Sequence, residues 1–168
     1  MRLRSFALLV ALMSVPLAAS ATLVPTAPPA AHAPSALTAA RACPSTQLRA
    51  AVTSDEAAMV HREVRVTLTN DGASSCVMDG FPAIRLLDAQ HHVHIAEESF
   101  SGTPSAFTLA PGKSAAFGLR IATADAVTTY PMLPTLAVIP PGDVVPLMVK
   151  HALPAGPFID VQAVVPGP

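Results

Sequence analysis

The chain has 168 residues, 51% of them hydrophobic and only 12% charged, with 18 Pro, 8 Gly, two Cys and no Trp. Ten Lys and Arg against 11 Asp and Glu leave a net charge of −1, which argues against nucleic acid or an anionic membrane surface as the main partner, because both are held by clustered cations. One ordinary domain of this length closes its own hydrophobic core without a metal or a dense disulfide framework.

The chain opens with Met1-Arg2-Leu3-Arg4, continues as an apolar run over 5–17 and reaches Ala19-Ser20-Ala21. A basic start, an apolar stretch too short for a stop-transfer helix and an A-x-A ending form a secretory signal, so residues 1–21 are expected to be removed after Ala21. No Cys follows the apolar run directly, so no lipid anchor is indicated, and no integral membrane segment is expected after cleavage. Residues 22–42 are mainly Ala, Pro, Thr, Leu, Val and Ser, with Pro25, Pro28, Pro29 and Pro34. Repeated Pro removes backbone donors and blocks helix, and the segment reads as a disordered or extended tether. The chain is expected to work in the periplasm or outside the cell.

From Cys43 to the C-terminus the pattern is that of a single β-domain, residues 43–168: short apolar runs broken by Pro, Gly and Asp, with no amphipathic helix. The clearest strand is 60–70, where Val64, Val66 and Leu68 alternate with Arg65, Thr67 and Thr69, predicting one buried face and one wet face. Asn70-Asp71-Gly72 ends it as a turn. Further strands are predicted over 47–52, 83–88, 93–96, 107–109, 114–121, 135–139, 147–152 and 159–164. Seven to nine short strands at near-regular spacing predict an all-β, immunoglobulin-like antiparallel β-sandwich. Without a Trp, the aromatic core bulk is expected from Phe81, Phe107, Phe117 and Phe158.

Cys43 and Cys76 are the only cysteines. The leader directs them to an oxidising compartment, where a single pair persists as a structural disulfide. A redox-active pair would want a C-x-x-C spacing in an electropositive setting, and neither is visible.

The order Cys43, Leu48, Val64-Arg65-Val66-Thr67-Leu68-Thr69-Asn70, Cys76-Val77-Met78-Asp79-Gly80-Phe81-Pro82 and Ile84-Arg85-Leu86-Leu87-Asp88 resembles the secreted family catalogued as domain of unknown function 4232. Leu109-Ala110-Pro111-Gly112-Lys113-Ser114-Ala115 and Leu136-Ala137-Val138-Ile139-Pro140-Pro141 are similar to that family's second half. The most specific part is Asn70 followed by Cys76 and Gly80-Phe81-Pro82. The resemblance implies a small exported sandwich, often behind a Pro- or Thr-rich tether, and attaches no activity to it. Members commonly carry a second Cys pair in the later half, where residues 125–136 here hold Tyr130 and no Cys.

Motifs for chemistry are sparse. G-x-S-x-G and S-x-x-K are absent. His61-Arg62-Glu63 starts like H-E-x-x-H but lacks the second His and lies on a period-two strand. Gly112-Lys113-Ser114 mimics the end of a phosphate loop, but the motif's first Gly would fall on Phe107. Glu97 and Glu98, the nearest to a carboxylate pair, are strand neighbours and point to opposite faces. No catalytic or cofactor-binding residue is assigned and no cofactor is expected.

The one dense cluster is His91-His92-Val93-His94. On a strand, His92 and His94 share a face about 6.6 Å apart along the chain, a spacing from which two imidazoles can converge on a metal. A third ligand would have to come from His61, His151, Met59 or Met148. His91 falls where the similar family often has Gly, marking a turn. The leading expectation is a non-enzymatic exported module acting on an unknown envelope or extracellular partner; the alternative is a periplasmic copper or zinc carrier using His92 and His94.

Overall fold

The structure is a computed structural model that describes residues 41–123 and 130–167; the expected leader and nearly all of the expected tether lie outside the described residues. Twelve strands occur among the described residues: β1 Leu48–Ala57, β2 His61–Asn70, β3 Cys76–Met78, β4 Ala83–Leu87, β5 Val93–His94, β6 Glu97–Ser101, β7 Phe107–Leu109, β8 Ser114–Ala122, β9 Met132–Ile139, β10 Leu147–Pro154, β11 Phe158–Gln162 and β12 Val165–Pro166. One sheet runs β1-β2-β8-β11-β6 with β12 also on β8, the second runs β10-β9-β4-β5, and β3 pairs with β7. The chain is an all-β sandwich. β3, β6 and β12 are additions to the predicted set, and β11 pairs with β6 in parallel, against the otherwise antiparallel strand pairing.

Alternation decides what is buried. Val64, Val66 and Leu68 are enclosed and Arg65 is exposed, as the period-two pattern of β2 requires. They face Leu119, Phe117 and Ala115 of β8 across an unbroken antiparallel register. The aromatic expectation needs correction. Phe117 is buried and Phe107 packs partly against the core, but Phe81 is only half-buried, its ring tilted at 56° against that of Phe100 with centroids 5.1 Å apart. Phe158 is 53% exposed, because Ile159 and Val161 take the inner positions of β11 and alternation turns Phe158 outward.

β1 carries a bulge between Val52 and Ser54. Before it, Ala50 and Val52 are in phase with Leu68 and Val66; after it, Asp55 rather than Ser54 takes the inward phase, opposite Val64. Thr53 sits at the bulge and bonds the Arg65 carbonyl and the Thr67 hydroxyl.

Cys43 and Cys76 are joined, with Cα atoms 4.8 Å apart and a sequence separation of 33. Closing a loop of that size removes about 3.7 kcal/mol of unfolded-chain entropy in the chain-entropy model. Backbone bonds reinforce the tie: Cys43 N donates to Val77 O at 3.0 Å and Val77 N to Arg41 O at 2.9 Å. Ala42, the last residue of the expected tether, bridges Val77 in parallel. Nearby, the Asp143 carboxylate accepts from the Ser45 N–H at 2.5 Å and from Val144 at 2.6 Å. These backbone donors, Ser45 first, push its pKa down to about 2.

Next to the disulfide, Asn70 is fully buried. Its amide nitrogen donates to Ser74 O at 2.9 Å and to Leu109 O at 3.0 Å, while its amide oxygen accepts from Gly72 N at 3.0 Å. Its backbone N–H donates to Lys113 O, and its carbonyl accepts from Gly112 N at 2.7 Å. Residues 110–113 form a tight turn closed by Lys113 N to Ala110 O, in which Gly112 takes φ 71°, the position that suits Gly after Pro111.

Asn70→Ala is expected to cost about 2–3 kcal/mol in chemical denaturation, since several backbone groups lose their partner together. Asn70→Asp at neutral pH should cost at least as much, because a buried carboxylate would face two carbonyl oxygens. An Asn70→Asp chain as stable as the parent would show that the amide is not the donor to both carbonyls.

Candidate functional site

The two sides of the sandwich are finished differently. On one, β1 packs on β10, and Asp55, Arg62 and His151 meet between the sheets. Asp55 accepts from Arg62 at both oxygens and from His151 Nε2 at 2.5 Å. The Arg62 guanidinium, with His151 adding to it, holds the Asp55 carboxyl below the usual carboxylate range. Arg62 is in phase with Val64 and Val66, so it lies on the core side of β2, where an unpaired cation would be costly. The cluster ties three strands at the end of the core, and every one of its charges is matched.

On the other side only Ile95 and Ala96 separate β5, in one sheet, from β6, in the other. Between these edges opens a cleft of about 570 Å³, floored by Ile84, Leu86 and Ile159 and rimmed by Val93, Ile95 and Ala96. Ile95 is 88% exposed. Polar groups are few: His94, and the ion pair of Arg85 with Glu98 at 3.2 Å, which spans from one sheet to the other. An apolar floor with a few converging polar groups is the ordinary make-up of a small-ligand site. Glu97 and Glu98 do take opposite faces of β6: Glu98 opposes inward-facing Ile159, and Glu97 opposes outward-facing Phe158.

The histidines separate by role. Strand β5 is only Val93–His94, shorter than the predicted 93–96, because the chain then crosses between sheets. Residues 89–91 form a three-residue hairpin loop: Asp88 O accepts from His91 N and Asp88 N donates to His92 O, both at 3.1 Å. His91 carries the left-handed conformation such a loop demands, φ 66°, as its turn position predicts. His92 is 80% exposed at its side chain and bonds Asp88 through Nδ1 at 3.0 Å. The N–H groups of His92 and Gln90 hold the Asp88 carboxyl below its ordinary range. His94 Nε2 donates to the Gly156 carbonyl at 3.1 Å, reaching across the cleft mouth to the segment before β11.

His92 and His94 thus have different partners rather than a shared one. The possible third ligands are engaged or turned outward: His61 with Glu63, His151 with Asp55, while Met59 and Met148 are exposed. Among the described residues no group of three or more His, Cys, Asp or Glu could hold a metal ion. Of the histidine pair predicted from the sequence, then, the structure brings one, His94, into the cleft. The apolar floor, Arg85 and Glu98 are not expected as site residues from the sequence, since no local motif marks them.

His91→Gly should raise stability by about 1 kcal/mol, the cost of a left-handed L-residue, read as a higher melting temperature. No gain would show that the His91 side chain repays its strained backbone. The Asp55 carboxylate has a depressed folded pKa, so its contribution is fully present above its unfolded value near about 4 and is lost as pH falls through the lower folded value. The stability gap between the parent and Asp55→Asn should therefore be wide at pH 7 and shrink below pH about 4. Urea midpoints at both pH values measure it, and a gap independent of pH would contradict the ion pairing.

Residues 43–165 match the family model described as Domain of unknown function (DUF4232). No curated protein and no solved structure matches. No helix among the described residues is long and apolar enough to cross a membrane.

Proposed function

We propose, from the premise that the chain belongs to the DUF4232 family, that it is an exported, non-enzymatic binding module that receives its ligand in the cleft between β5 and β6. The observation that carries the reading is the cleft itself: core residues Ile84, Leu86 and Ile159 reach its floor, and its 570 Å³ falls within the usual range of small-ligand sites. Burying an apolar group there removes water from both surfaces, and about 25 cal/mol is gained per Å² covered. Arg85, Glu98 and His94 sit at the mouth, where they orient the polar part of such a ligand. The ligand is accordingly an apolar group carried on a polar body, presented by an envelope or extracellular partner.

A non-enzymatic role agrees with how the titratable groups are used. Asp55, Asp88 and Asp143 are each committed to backbone or side-chain donors that shape the fold. Export agrees with the leader pattern and with a buried disulfide, which persists in oxidising compartments. A copper or zinc carrier built on His92 and His94 is the weaker reading, since each imidazole already has its own hydrogen-bond partner.

The test has two parts. Protein recovered outside the cytoplasm of its host should begin at Thr22, and folded protein retaining Met1 would end the export half. An environment-sensitive apolar dye should bind the purified chain at one site, with affinity reduced roughly tenfold by Ile95→Asp, a change at an exposed position that leaves the core intact. Dye binding unaffected by Ile95→Asp would place the apolar site elsewhere and refute the cleft.

A further inference from the structure

The outer face of the β1-β2-β8-β11-β6 sheet carries an ordered polar row. The registers place Glu63 of β2 opposite Arg120 of β8, Arg120 opposite Asp160 of β11, and Asp160 beside Ser99 of β6. Charges alternate along it as acid, base, acid and then hydroxyl. A shallow depression of about 230 Å³ opens over this row, between Arg120, Asp160, Ser99 and His61, with Phe158 and Val60 as its apolar wall.

The side chains in the row are fixed in direction. Ser99 Oγ donates to Asp160 Oδ1 at 2.8 Å and Ser101 Oγ to Asp160 Oδ2 at 2.5 Å. Arg120 can only donate, so His61 Nδ1, 3.3 Å away, accepts; His61 Nε2 then carries the proton and donates to Glu63 at 3.0 Å. Each Asp160 oxygen keeps a lone pair, the Ser99 oxygen can still accept, and most of the Arg120 N–H groups are unused by His61. Phe158 and Val60 stand exposed beside them, although apolar side chains gain by burial.

We infer that this depression is a subsite for a neutral hexopyranose, one unit of a glycan, held by Arg120, Asp160 and Ser99 with its C–H face against Phe158. An anionic ligand would meet Asp160 and Glu63 in the same row, and a cationic one would meet Arg120. A neutral polyol meets neither opposition. Its hydroxyls are both donors and acceptors, matching a guanidinium and a carboxylate set side by side, and hydrogen bonds to charged partners are the stronger kind. The axial C–H groups of a pyranose supply the apolar patch that an exposed aromatic ring covers. The subsite lies on the opposite face of β11 from the cleft floored by Ile159, so it stands or falls separately from the cleft.

Calorimetric titration of the full mature chain with maltohexaose, cellohexaose and mannohexaose, alongside a hexamer of galacturonic acid, tests the inference. At least one neutral hexamer should bind with a Kd of about 1 mM or tighter, and Phe158→Ala and Arg120→Ala should each weaken it by about tenfold or more. Both positions are on the outer face, and an unchanged melting temperature verifies that the variants fold. The cleft variant Ile95→Asp should bind the sugar as the parent does. The inference is overturned if none of the three neutral hexamers binds, if the acidic hexamer binds as well as the neutral ones, if binding survives both outer-face substitutions, or if Ile95→Asp abolishes it.

Discussion

A single buried amide, Asn70, set against the Cys43–Cys76 bond, is the constraint on which the rest of the structure leans. Asn70 ends β2, which lies between β1 and β8, and its two amide donors and one acceptor satisfy backbone groups from the following turn and from β7. Its own backbone is paired to the turn that launches β8. Several segments of the chain therefore meet at one residue that water does not reach. A buried polar group is tolerable only when fully satisfied, and the same condition makes the site specific: a slip of β2 by one residue would strand these donors and also bury Arg65. The disulfide then fixes β3 and the segment around Arg41 and Ala42 beside that point.

From this end of the molecule the two sides of the sandwich diverge, and the divergence sets where the cleft opens. The β1/β10 side is plugged by Asp55, Arg62 and His151, an ion-paired cluster that costs desolvation but leaves no orphan charge. The β5/β6 side is crossed by two residues of chain and keeps an opening floored by core side chains. Glu97 and Glu98 on β6 discourage a second chain from adding a strand at that exposed edge, while leaving room for a smaller apolar group between the sheets. Buried polar ties are thus concentrated at the Asn70 end and at the plugged side, and the cleft and the outer-face depression proposed to bind ligands lie where fewer of them occur.

Legibility in the sequence follows the same division. Period-two alternation in β2 is enough to place Val64, Val66 and Leu68 inside, two cysteines allow one pairing, and His91 shows as a turn residue. Strands β3 and β12, three and two residues long, are too short for any periodicity to register, and β6 reads as exposed polar sequence because only one of its edges is paired. Asp55 is illegible because a bulge resets the phase of β1, and no residue type at positions 52–54 announces it. Arg62 can be found: it lies two residues before Val64 in the same phase, which demands a buried partner. Composition alone puts Phe158 in the core, where the alternation through Ile159 and Val161 gives the right answer. The cleft and the polar row on the outer face are assembled from β2, β4, β5, β6, β8 and β11, and such convergence leaves no local motif.

Native-state hydrogen exchange at the amides of Gly72 and Gly112, followed across low denaturant concentrations, tests the central role of Asn70 most directly. Gly72 N–H is held by the Asn70 side chain and Gly112 N–H by its carbonyl. If Asn70 is the tie of the structure, both amides open only with the whole molecule, with the same free energy and denaturant dependence as the core amides of Val66 and Leu68. Exchange of Gly72 and Gly112 by a low-energy local opening, while Val66 and Leu68 stay protected, would contradict it and reduce Asn70 to an ordinary turn residue.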